Sequence, residues 1–385
     1  MKKVFVVTST RADWGLLKPV CRRLQQEKSV QLMVAATGTH LKAEYGNTLE
    51  EIKNDGFLPE YEVDILKFSN DDIGVANTIA YTIESFASLF KINRPDLLLV
   101  LGDRYEIFAV STAASALGIP IAHISGGDVT IGAKDDFYRH CITAMANIHF
   151  ASCDDSYNRL LRLGQQPSTV YNVGGLGNEN IKNVPLMSLQ ELENSLEFDH
   201  LKPFLLITYH PETQKGHPQQ DMQNLLDALD MVEGYNLIFT KSNADAGGNI
   251  INDMVDEYCR NTKRAKAFFS LGLKRYLSAM SCCDAVVGNS SSGVVETPSF
   301  KVPTVNIGDR QKGRYIAENV ICTNDDMQSI LQGIKKALSA EFAVKAKSAV
   351  SPYDKGVVPS EEITKVITEY LTSEHSTVKI FYDGE

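Results

Sequence analysis

Uninterrupted apolar runs that end in polar loops constrain the fold of this 385-residue chain more than any other feature. Leu97–Leu101 consists of five apolar residues and is followed by a Gly-Asp-Arg loop and an amphipathic segment. Phe204–Thr208 repeats the arrangement and continues into a Tyr-His-Pro-Glu loop. Strands without polar alternation are typical of a parallel sheet that helices cover on both faces. The pattern predicts an α/β fold with Rossmann-like, doubly wound sheets.

The same strand, loop and helix unit recurs along the whole chain. Similar apolar runs predict further strands at Val4–Thr8, Gln31–Ala36, Ile119–Ile124, Ile148–Ser152, Val170–Val173, Asn236–Thr240, Ala285–Val287 and Thr304–Ile307. A polar stretch over residues 182–202 separates two series of strands, so we predict domains over residues 1–180 and 181–358. A last helix is predicted near Ser360–Leu371. Residues 44–72 are rich in acids, and we interpret them as a solvated face or a mobile lid.

Charge and cysteine content limit the partners and the compartment. The chain has 38 Lys and Arg residues against 48 Asp and Glu residues, a formal net charge of −10 without any basic block. Such a chain is poorly suited to bind nucleic acid or an anionic membrane, and its longest apolar runs are far shorter than a membrane span. Seven cysteines without a C-x-x-C motif indicate reduced thiols. We therefore expect a cytoplasmic protein with neither nucleic-acid nor membrane partners.

A loop rich in glycine and serine is the first candidate binding element. Its residues follow a predicted strand and are Gly288, Asn289, Ser290, Ser291 and Ser292, with Glu296 one helical turn later. Small residues allow close approach of a ligand, and consecutive amides at a helix N-terminus bind phosphate. Glu296 could accept hydrogen bonds from ribose hydroxyls. A capped polar turn is the alternative interpretation, but the position after a strand favours a ligand site.

Three further side chains follow predicted strands at the same edge of a sheet. Arg11 could bind a phosphate through its guanidinium or pair with Asp13 at the surface. Asp103 could be a general base or merely the N-cap of the next helix. His210 could be a satisfied structural residue or a group that faces the ligand. Neither a dinucleotide-binding glycine motif nor a P-loop is present, which weakens those two classes of function.

Carboxylates that follow neighbouring strands suggest proton-transfer chemistry. If Asp103, Asp128 and Asp135 converge, repulsion would raise the pKa of at least one of them and make it a usable proton donor. Acids in a first helical turn are also ordinary complements to the helix dipole. His123, Asp128, Asp135 and His140 could be metal ligands, but their spacing matches no zinc motif. We therefore expect no metal and no redox cofactor.

Taken together, the loop motifs have a familiar order. They are Thr10-Arg11-Ala12-Asp13, Gly102-Asp103-Arg104, Gly126-Gly127-Asp128, His210-Pro211-Glu212, Gly288-Asn289-Ser290-Ser291-Ser292-Gly293 and Gly308-Asp309-Arg310. Over nearly its whole length the chain resembles the hydrolysing UDP-N-acetylglucosamine 2-epimerases of bacterial sialic-acid pathways. Close relatives of that family act on UDP-2,4-diacetamido-2,4,6-trideoxyglucose in legionaminic-acid synthesis. The resemblance implies a two-domain, glycosyltransferase-B-like fold with the nucleotide sugar in the cleft between domains. It also implies that residues 359–385 return to the first domain.

The resemblance also implies a reaction and its partners. A base removes the proton at C2 while the C1–O bond to UDP breaks, which leaves a glycal-like intermediate. Water then adds at C1 while a proton returns to the opposite face of C2, so that free N-acetylmannosamine or its diacetamido analogue is released. The implied partners are the UDP-sugar, the UDP product and identical subunits in a homodimer or homotetramer.

Site residues are carried over from the family position by position. The resemblance assigns catalysis to Asp103, Asp128, Asp135 and His210, with His210 near the diphosphate and the leaving oxygen. It assigns UDP binding to Arg11, Gly288, Asn289, Ser290, Ser291, Ser292 and Glu296, and sugar or diphosphate contacts to Arg104, Asn243 and Arg310. Two positions depart from the pattern: Ser125 replaces a glutamate of some relatives, and Leu16 replaces a lysine. A serine cannot transfer the proton and enlarges the pocket, so the identity of the sugar is open. A non-hydrolysing epimerase, a glycosyltransferase and a nucleotide-sugar sensor remain alternatives.

Overall fold

The computed structural model describes residues 1–46, 48–69, 71–131, 134–212, 217–242, 247–374 and 378–384. The chain forms two compact units. Unit 1 comprises Met1–Asp128, Asp135–Glu179 and Tyr353–Glu385, and unit 2 comprises Val129–Lys134 and Asn180–Pro352. Each unit contains one parallel sheet with helices on both faces, which confirms the predicted pair of doubly wound α/β folds.

Unit 1 contains a seven-stranded sheet in the order β3-β2-β1-β4-β5-β6-β7. The strands are β1 (Lys2–Thr8), β2 (Val30–Thr37), β3 (Tyr61–Val63), β4 (Leu97–Leu101), β5 (Ile121–Ile124), β6 (Ile148–Ala151) and β7 (Val170–Asn172). Its helices are α1 (Arg11–Gln26), α2 (Leu49–Asn54), α3 (Asp72–Ile92), α4 (Tyr105–Ala116), α5 (Asp135–Met145) and α6 (Asp154–Arg162), with α7 (Leu176–Asn183) at the boundary and α16 (Pro359–Thr372) near the end of the chain.

Unit 2 contains a six-stranded sheet in the order β10-β9-β8-β11-β12-β13. The strands are β8 (Phe204–Thr208), β9 (Asn236–Thr240), β10 (Ala265–Phe268), β11 (Ala285–Gly288), β12 (Thr304–Ile307) and β13 (Val320–Thr323). Its helices are α8 (Leu189–Leu196), α9 (Pro218–Asp230), α10 (Gly248–Asn261), α11 (Gly272–Cys282), α12 (Ser292–Val295), α13 (Thr297–Phe300), α14 (Met327–Ala337) and α15 (Ala340–Lys347). No helix in the described ranges is long and apolar enough to span a membrane.

In each sheet the strand order reverses at one point, and the candidate loops lie beside that point. In unit 1 the order reverses between β1 and β4, and in unit 2 between β8 and β11. Ligands of such sheets bind outside the carboxyl ends of the strands at this reversal. The loops that precede Arg11 and contain Asp103 therefore lie at the favoured position in unit 1. The loops with His210 and Ser290 lie there in unit 2.

The acidic stretch over residues 44–72 is more ordered than its composition suggests. It contains α2 and the edge strand β3, and its acidic side chains Glu50, Glu51 and Glu62 are exposed, which agrees with its interpretation as a solvated face. β3 is only three residues long and none of its side chains is fully buried. A short edge strand has little apolar pattern, and its stability comes from pairing with β2.

The last described helix belongs to unit 1, which confirms the predicted return of the chain to the first domain. Ile363 and Ile367 of α16 are fully buried in the same core cluster as Leu17 and Leu24 of α1. The N-terminus of α16 is held by Glu179, whose carboxylate accepts hydrogen bonds from the Ser360 amide (2.8 Å) and hydroxyl (2.6 Å). A buried carboxylate at this end also stabilises the helix, because its negative charge faces the positive end of the helix dipole.

Glu179→Ala is expected to destabilise unit 1 by about 2 kcal/mol, because it leaves the buried Ser360 amide without its acceptor. Trp14 is the single tryptophan and is 2% exposed in unit 1, so its fluorescence during urea unfolding reports this unit. Glu361→Ala is the matched control: Glu361 is exposed and lies 3.6 Å from Arg23, and its loss should cost less than about 1 kcal/mol. Equal effects of the two variants would contradict the assigned role of Glu179.

Candidate functional site

A buried arginine organises the carboxylates of unit 1. The Arg139 side chain is 4% exposed, and its Nη2 donates to Oδ2 of Asp103. Burial lowers the pKa of Arg139, but the negative charges of Asp103, Asp128, Asp136 and Asp135 outweigh burial and leave the pKa raised. All four aspartates therefore lie within range of the Arg139 charge, and Asp103 binds it directly. The alternative role of Asp103 as an N-cap is wrong, since the N-cap of α4 is Arg104.

Arg139 also fixes the backbone of the turn after β5. Its Nη1 donates to the Ser125 carbonyl at 2.9 Å, while the Ser125 amide donates to the Phe150 carbonyl of β6 at 2.9 Å. Ser125 has φ of 63°, a left-handed conformation that non-glycine residues seldom adopt. Backbone strain of this kind persists where surrounding contacts over-determine it and is common at functional sites.

Asp128 ends this turn in a pocket of hydroxyl groups. Its Oδ1 accepts hydrogen bonds from Ser152 Oγ at 2.5 Å and from Ser156 Oγ, and the residue is 8% exposed. Gly127 has φ of 76°, and a Cβ atom there would lie 2.3 Å from the Ser156 carbonyl oxygen. A glycine is therefore required for the chain to bring Asp128 to these serines.

The charged groups beside α1 differ from the expected surface pair. Asp13 accepts from the Thr10 amide (3.0 Å) and the Ser9 hydroxyl (2.8 Å), which forms a capping box at the start of α1. Burial raises the pKa of Asp13, and Arg104 and these hydrogen bonds oppose the effect. Burial also lowers the pKa of Arg11, which Glu51 opposes. Pairing of Arg11 with Asp13 at the surface is therefore wrong, because Asp13 is engaged in capping.

Arg104 is part of a buried ion pair within unit 1. Its Nη2 and Nε atoms both lie 3.1 Å from carboxylate oxygens of Glu106, whose side chain is fully buried. Burial raises the pKa of Glu106, and the Arg104 charge lowers it. The predicted contact of Arg104 with a sugar or diphosphate stays a prediction, since the guanidinium already compensates a buried acid.

In unit 2, Asn289 holds the loop that carries His210. The His210 amide donates to Asn289 Oδ1 and Asn289 Nδ2 donates to the His210 carbonyl, both at 2.8 Å. The His210 Nδ1 atom lies 3.1 Å from Ser242 Oγ. The Asn289 carbonyl accepts from Arg310 Nη1 at 3.2 Å and from Gln311 Nε2 at 2.8 Å. Asn289 is thus a positioning residue for His210 and Arg310.

A second contact joins the His-Pro-Glu loop to the loop of Arg310. Glu212 Oε1 accepts a hydrogen bond from the Asp309 amide at 2.8 Å. Gly308 has φ of 70°, and a Cβ atom there would lie 2.0 Å from the same oxygen. Residue 308 must therefore be a glycine, so that the Glu212 carboxylate can reach the loop of Arg310.

The serine-rich loop begins where β11 approaches β8 closely. A Cβ atom at Gly288 would lie 1.9 Å from the Thr208 carbonyl oxygen, so this position requires glycine for packing. Ser290, Ser291 and Ser292 follow at the start of the short helix α12. Burial raises the pKa of Glu296 to about 7, and a hydrogen bond from Ser292 opposes the shift.

Not every predicted site residue can be placed, and one important residue was not assigned. Asn243 lies outside the described residues. Within the described residues no group of three His, Cys, Asp or Glu side chains could hold a metal. Arg139 is not among the residues that the sequence patterns single out. Its position four residues after Asp135, on one helical face, is the signal that could have identified it.

Comparison with known proteins identifies the family to which the chain belongs. A family model described as UDP-N-acetylglucosamine 2-epimerase matches residues 22–368. The chain is 39% identical over 343 residues to the GDP/UDP-N,N'-diacetylbacillosamine 2-epimerase (hydrolyzing) of Campylobacter jejuni, with 89% of this chain and 88% of that protein covered. It is 36% identical over 386 residues to polysialic acid biosynthesis protein P7 of Escherichia coli, with 100% and 98% covered.

Among solved structures, the UDP co-structure of S. aureus MnaA has a TM-score of 0.82 to this chain at 20% identity and covers all of both chains. This similarity supports the glycosyltransferase-B-like fold. The matched family model spans most of the chain, and both relatives exceed 35% identity over nearly their full length. On this evidence the chain belongs to the UDP-N-acetylglucosamine 2-epimerase family.

Proposed function

We propose that this protein is a hydrolysing 2-epimerase that converts UDP-N-acetylglucosamine to UDP and N-acetylmannosamine. The observation that carries the proposal is the cluster of Asp103, Asp128 and Asp135 around Arg139. Elimination and hydration at C2 require one group that removes a proton and another that returns it to the opposite face. Several carboxylates at the carboxyl edge of one sheet supply both groups.

In the proposed mechanism, one carboxylate of this cluster removes the C2 proton as the electron pair forms the C1–C2 double bond and UDP leaves. Water then attacks C1 of the glycal while a second carboxylate protonates C2. We assign these roles to Asp103, Asp128 and Asp135. Arg139 keeps Asp103 in position through a charge-assisted hydrogen bond.

The residues of unit 2 suit the departing nucleotide. A diphosphate needs cations and hydrogen-bond donors as its charge develops. We propose that Arg310, His210 and the amides at residues 290–292 supply them. Asn289 and Glu212 hold the loops of His210 and Arg310 at fixed positions, so these donors are preorganised. Glu296 is proposed to accept hydrogen bonds from the ribose hydroxyls.

UDP-2,4-diacetamido-2,4,6-trideoxyglucose is the second candidate substrate. The 39% identical relative from Campylobacter jejuni is a 2-epimerase for nucleotide-linked diacetylbacillosamine. In addition, the Ser125 carbonyl accepts a hydrogen bond from Arg139, the residue that also binds Asp103. A serine leaves more room for a substituted sugar than the glutamate that some relatives have at this position. The reaction is the same for either sugar.

The proposed function predicts a specific isotope pattern. Incubation with UDP-N-acetylglucosamine in deuterated water should release UDP and N-acetylmannosamine with deuterium at C2, because the C2 proton exchanges through the carboxylates. Proton NMR detects both products. Asp103→Asn should lose turnover while it retains UDP binding, since Asp103 is not among the residues proposed to bind the nucleotide.

Other outcomes of the NMR experiment are equally informative. Release of UDP without deuterium at C2 would contradict the elimination mechanism. UDP-N-acetylmannosamine as the product would indicate a non-hydrolysing epimerase. Turnover of the diacetamido sugar but not of UDP-N-acetylglucosamine would establish the second candidate substrate.

Arg139→Lys should lower kcat about 100-fold with little change in UDP affinity, because a single ammonium nitrogen does not reproduce the two separate nitrogens with which the guanidinium binds Asp103 and the Ser125 carbonyl. Steady-state kinetics and calorimetric titration with UDP measure the two effects. Arg162→Met is the matched control, since Arg162 is exposed on α6. Parallel loss of UDP binding in Arg139→Lys would indicate misfolding rather than misplacement of Asp103.

Binding of the nucleotide sugar should depend on the ionisation of Glu296. Its pKa of about 7 means that the carboxylate form gains population as the pH rises, and only that form accepts two ribose hydrogen bonds. Affinity of the Asp103→Asn variant for UDP-N-acetylglucosamine should increase up to roughly tenfold between about pH 6 and about pH 8. Adding Glu296→Gln should abolish this slope, and adding the exposed control Glu233→Gln should preserve it. An unchanged slope in the Glu296→Gln variant would refute the assignment.

A further inference from the structure

The segment over residues 378–384 docks on unit 1 through Lys379. The Lys379 ammonium donates to Gln165 Oε1 (2.5 Å), to the Thr143 carbonyl (3.2 Å) and to the Ala146 carbonyl. The Tyr382 amide also donates to the Gly164 carbonyl at 2.7 Å. Burial lowers the pKa of Lys379 to about 8, so at neutral pH the side chain is mainly the ammonium that three acceptors require.

Two of these acceptors lie at the C-terminal end of α5. The last carbonyls of a helix lack partners within the helix, and a positive charge there is favourable to the dipole. The opposite end of α5 carries Asp135 and, one turn later, Arg139. The helix is 11 residues long, so a contact at its C-terminus lies roughly 16 Å from the start of the carboxylate cluster.

A shorter route joins Lys379 to Asp103 through hydrogen bonds. Thr143, whose carbonyl binds Lys379, has its hydroxyl 3.3 Å from Nδ1 of His123. The Nε2 atom of His123 is 2.8 Å from the carbonyl of Gly102, the residue before Asp103. A carbonyl can only accept, so the proton of His123 is on Nε2.

The hydrogen bond between Thr143 and His123 then has a defined donor. Burial lowers the pKa of His123 to about 4, so the ring is neutral and its Nδ1 accepts the Thr143 hydroxyl proton. Gly102 itself has φ of 80°, and its amide donates to the Ile124 carbonyl at 3.0 Å. The turn that carries Asp103 is therefore fixed by His123 from β5, and Thr143 fixes the His123 ring.

We propose that Lys379 is a positioning residue for Asp103, and that the docked segment over residues 378–384 orders the catalytic turn through Thr143 and His123. This inference rests on the proposed function for its effect on turnover. It assigns to a segment more than 200 residues from Asp103 in sequence a role in the geometry of the reacting carboxylate. Lys379 touches neither substrate nor reacting atoms in this role.

The test uses the full chain and compares Lys379→Met with Lys365→Met. Methionine retains most of the apolar stem but removes the ammonium, and Lys365 is an exposed residue of α16. Hydrogen exchange measures the amides of residues 102–104 and of α5, and steady-state kinetics measures kcat and KM. In Lys379→Met we expect faster exchange at both places and a kcat reduced about tenfold. KM should stay within about twofold of the wild-type value. Lys365→Met should change none of these quantities.

A second variant tests the hydrogen bond between Thr143 and His123. Thr143→Val keeps the shape and the backbone carbonyl of Thr143 but removes the hydroxyl that binds His123. If the route is correct, Thr143→Val also lowers kcat, and adding Lys379→Met to it lowers kcat no further. Multiplicative losses in the double variant would overturn the route through His123. Unchanged exchange at residues 102–104 in Lys379→Met would overturn the proposal itself.

The proposed function and this inference can fail separately. Absence of turnover by the wild-type protein on both candidate sugars would refute the proposed function. Hydrogen exchange would still decide whether Lys379 orders the turn of Asp103. Faster exchange in Lys379→Met with an unchanged kcat in an active enzyme would refute the positioning role.

Discussion

The buried charge of Arg139 is the constraint on which the candidate site depends. A guanidinium that is almost fully removed from water must be compensated by nearby carboxylates, and removal of either partner leaves an uncompensated charge. Asp103 from the loop after β4 binds the guanidinium directly, and Asp135 from the start of α5 lies within range of its charge. The strained turn at Ser125 persists because the same guanidinium binds its carbonyl. One ion cluster thus fixes three chain segments of unit 1.

In unit 2 the loops are held by hydrogen bonds of Asn289 and Glu212. Asn289 joins the loops of His210 and Arg310 through hydrogen bonds to main-chain atoms, and Glu212 binds the backbone before Arg310. The Thr208 backbone can approach Gly288, and the Glu212 carboxylate can approach Gly308, only because these glycines lack a Cβ atom. Two sheets with the same strand order around the reversal point therefore position different side chains, carboxylates in unit 1 and a histidine and an arginine in unit 2.

The sequence predicts the central strands well and the edges poorly. Leu97–Leu101 and Phe204–Thr208 have the predicted bounds because a buried parallel strand requires a continuous apolar run. β3 was missed because an edge strand needs no such run. At the site, Asp103 and Asp128 were identifiable from their place after strands. The role of Arg139 depends on a partner 36 residues away in sequence, and that of Lys379 on one 236 residues away, which no local pattern encodes.

The serine at position 125 is consistent with this electrostatic arrangement. Arg139 is already surrounded by Asp103, Asp128, Asp135 and Asp136. A fifth carboxylate on the residue whose carbonyl binds Arg139 would add repulsion among groups that share one cation. With serine there, this additional repulsion is absent, and proton transfer is proposed to fall to Asp103, Asp128 and Asp135. The departure from the family pattern is thus compatible with the same reaction class and bears mainly on the space available for the sugar.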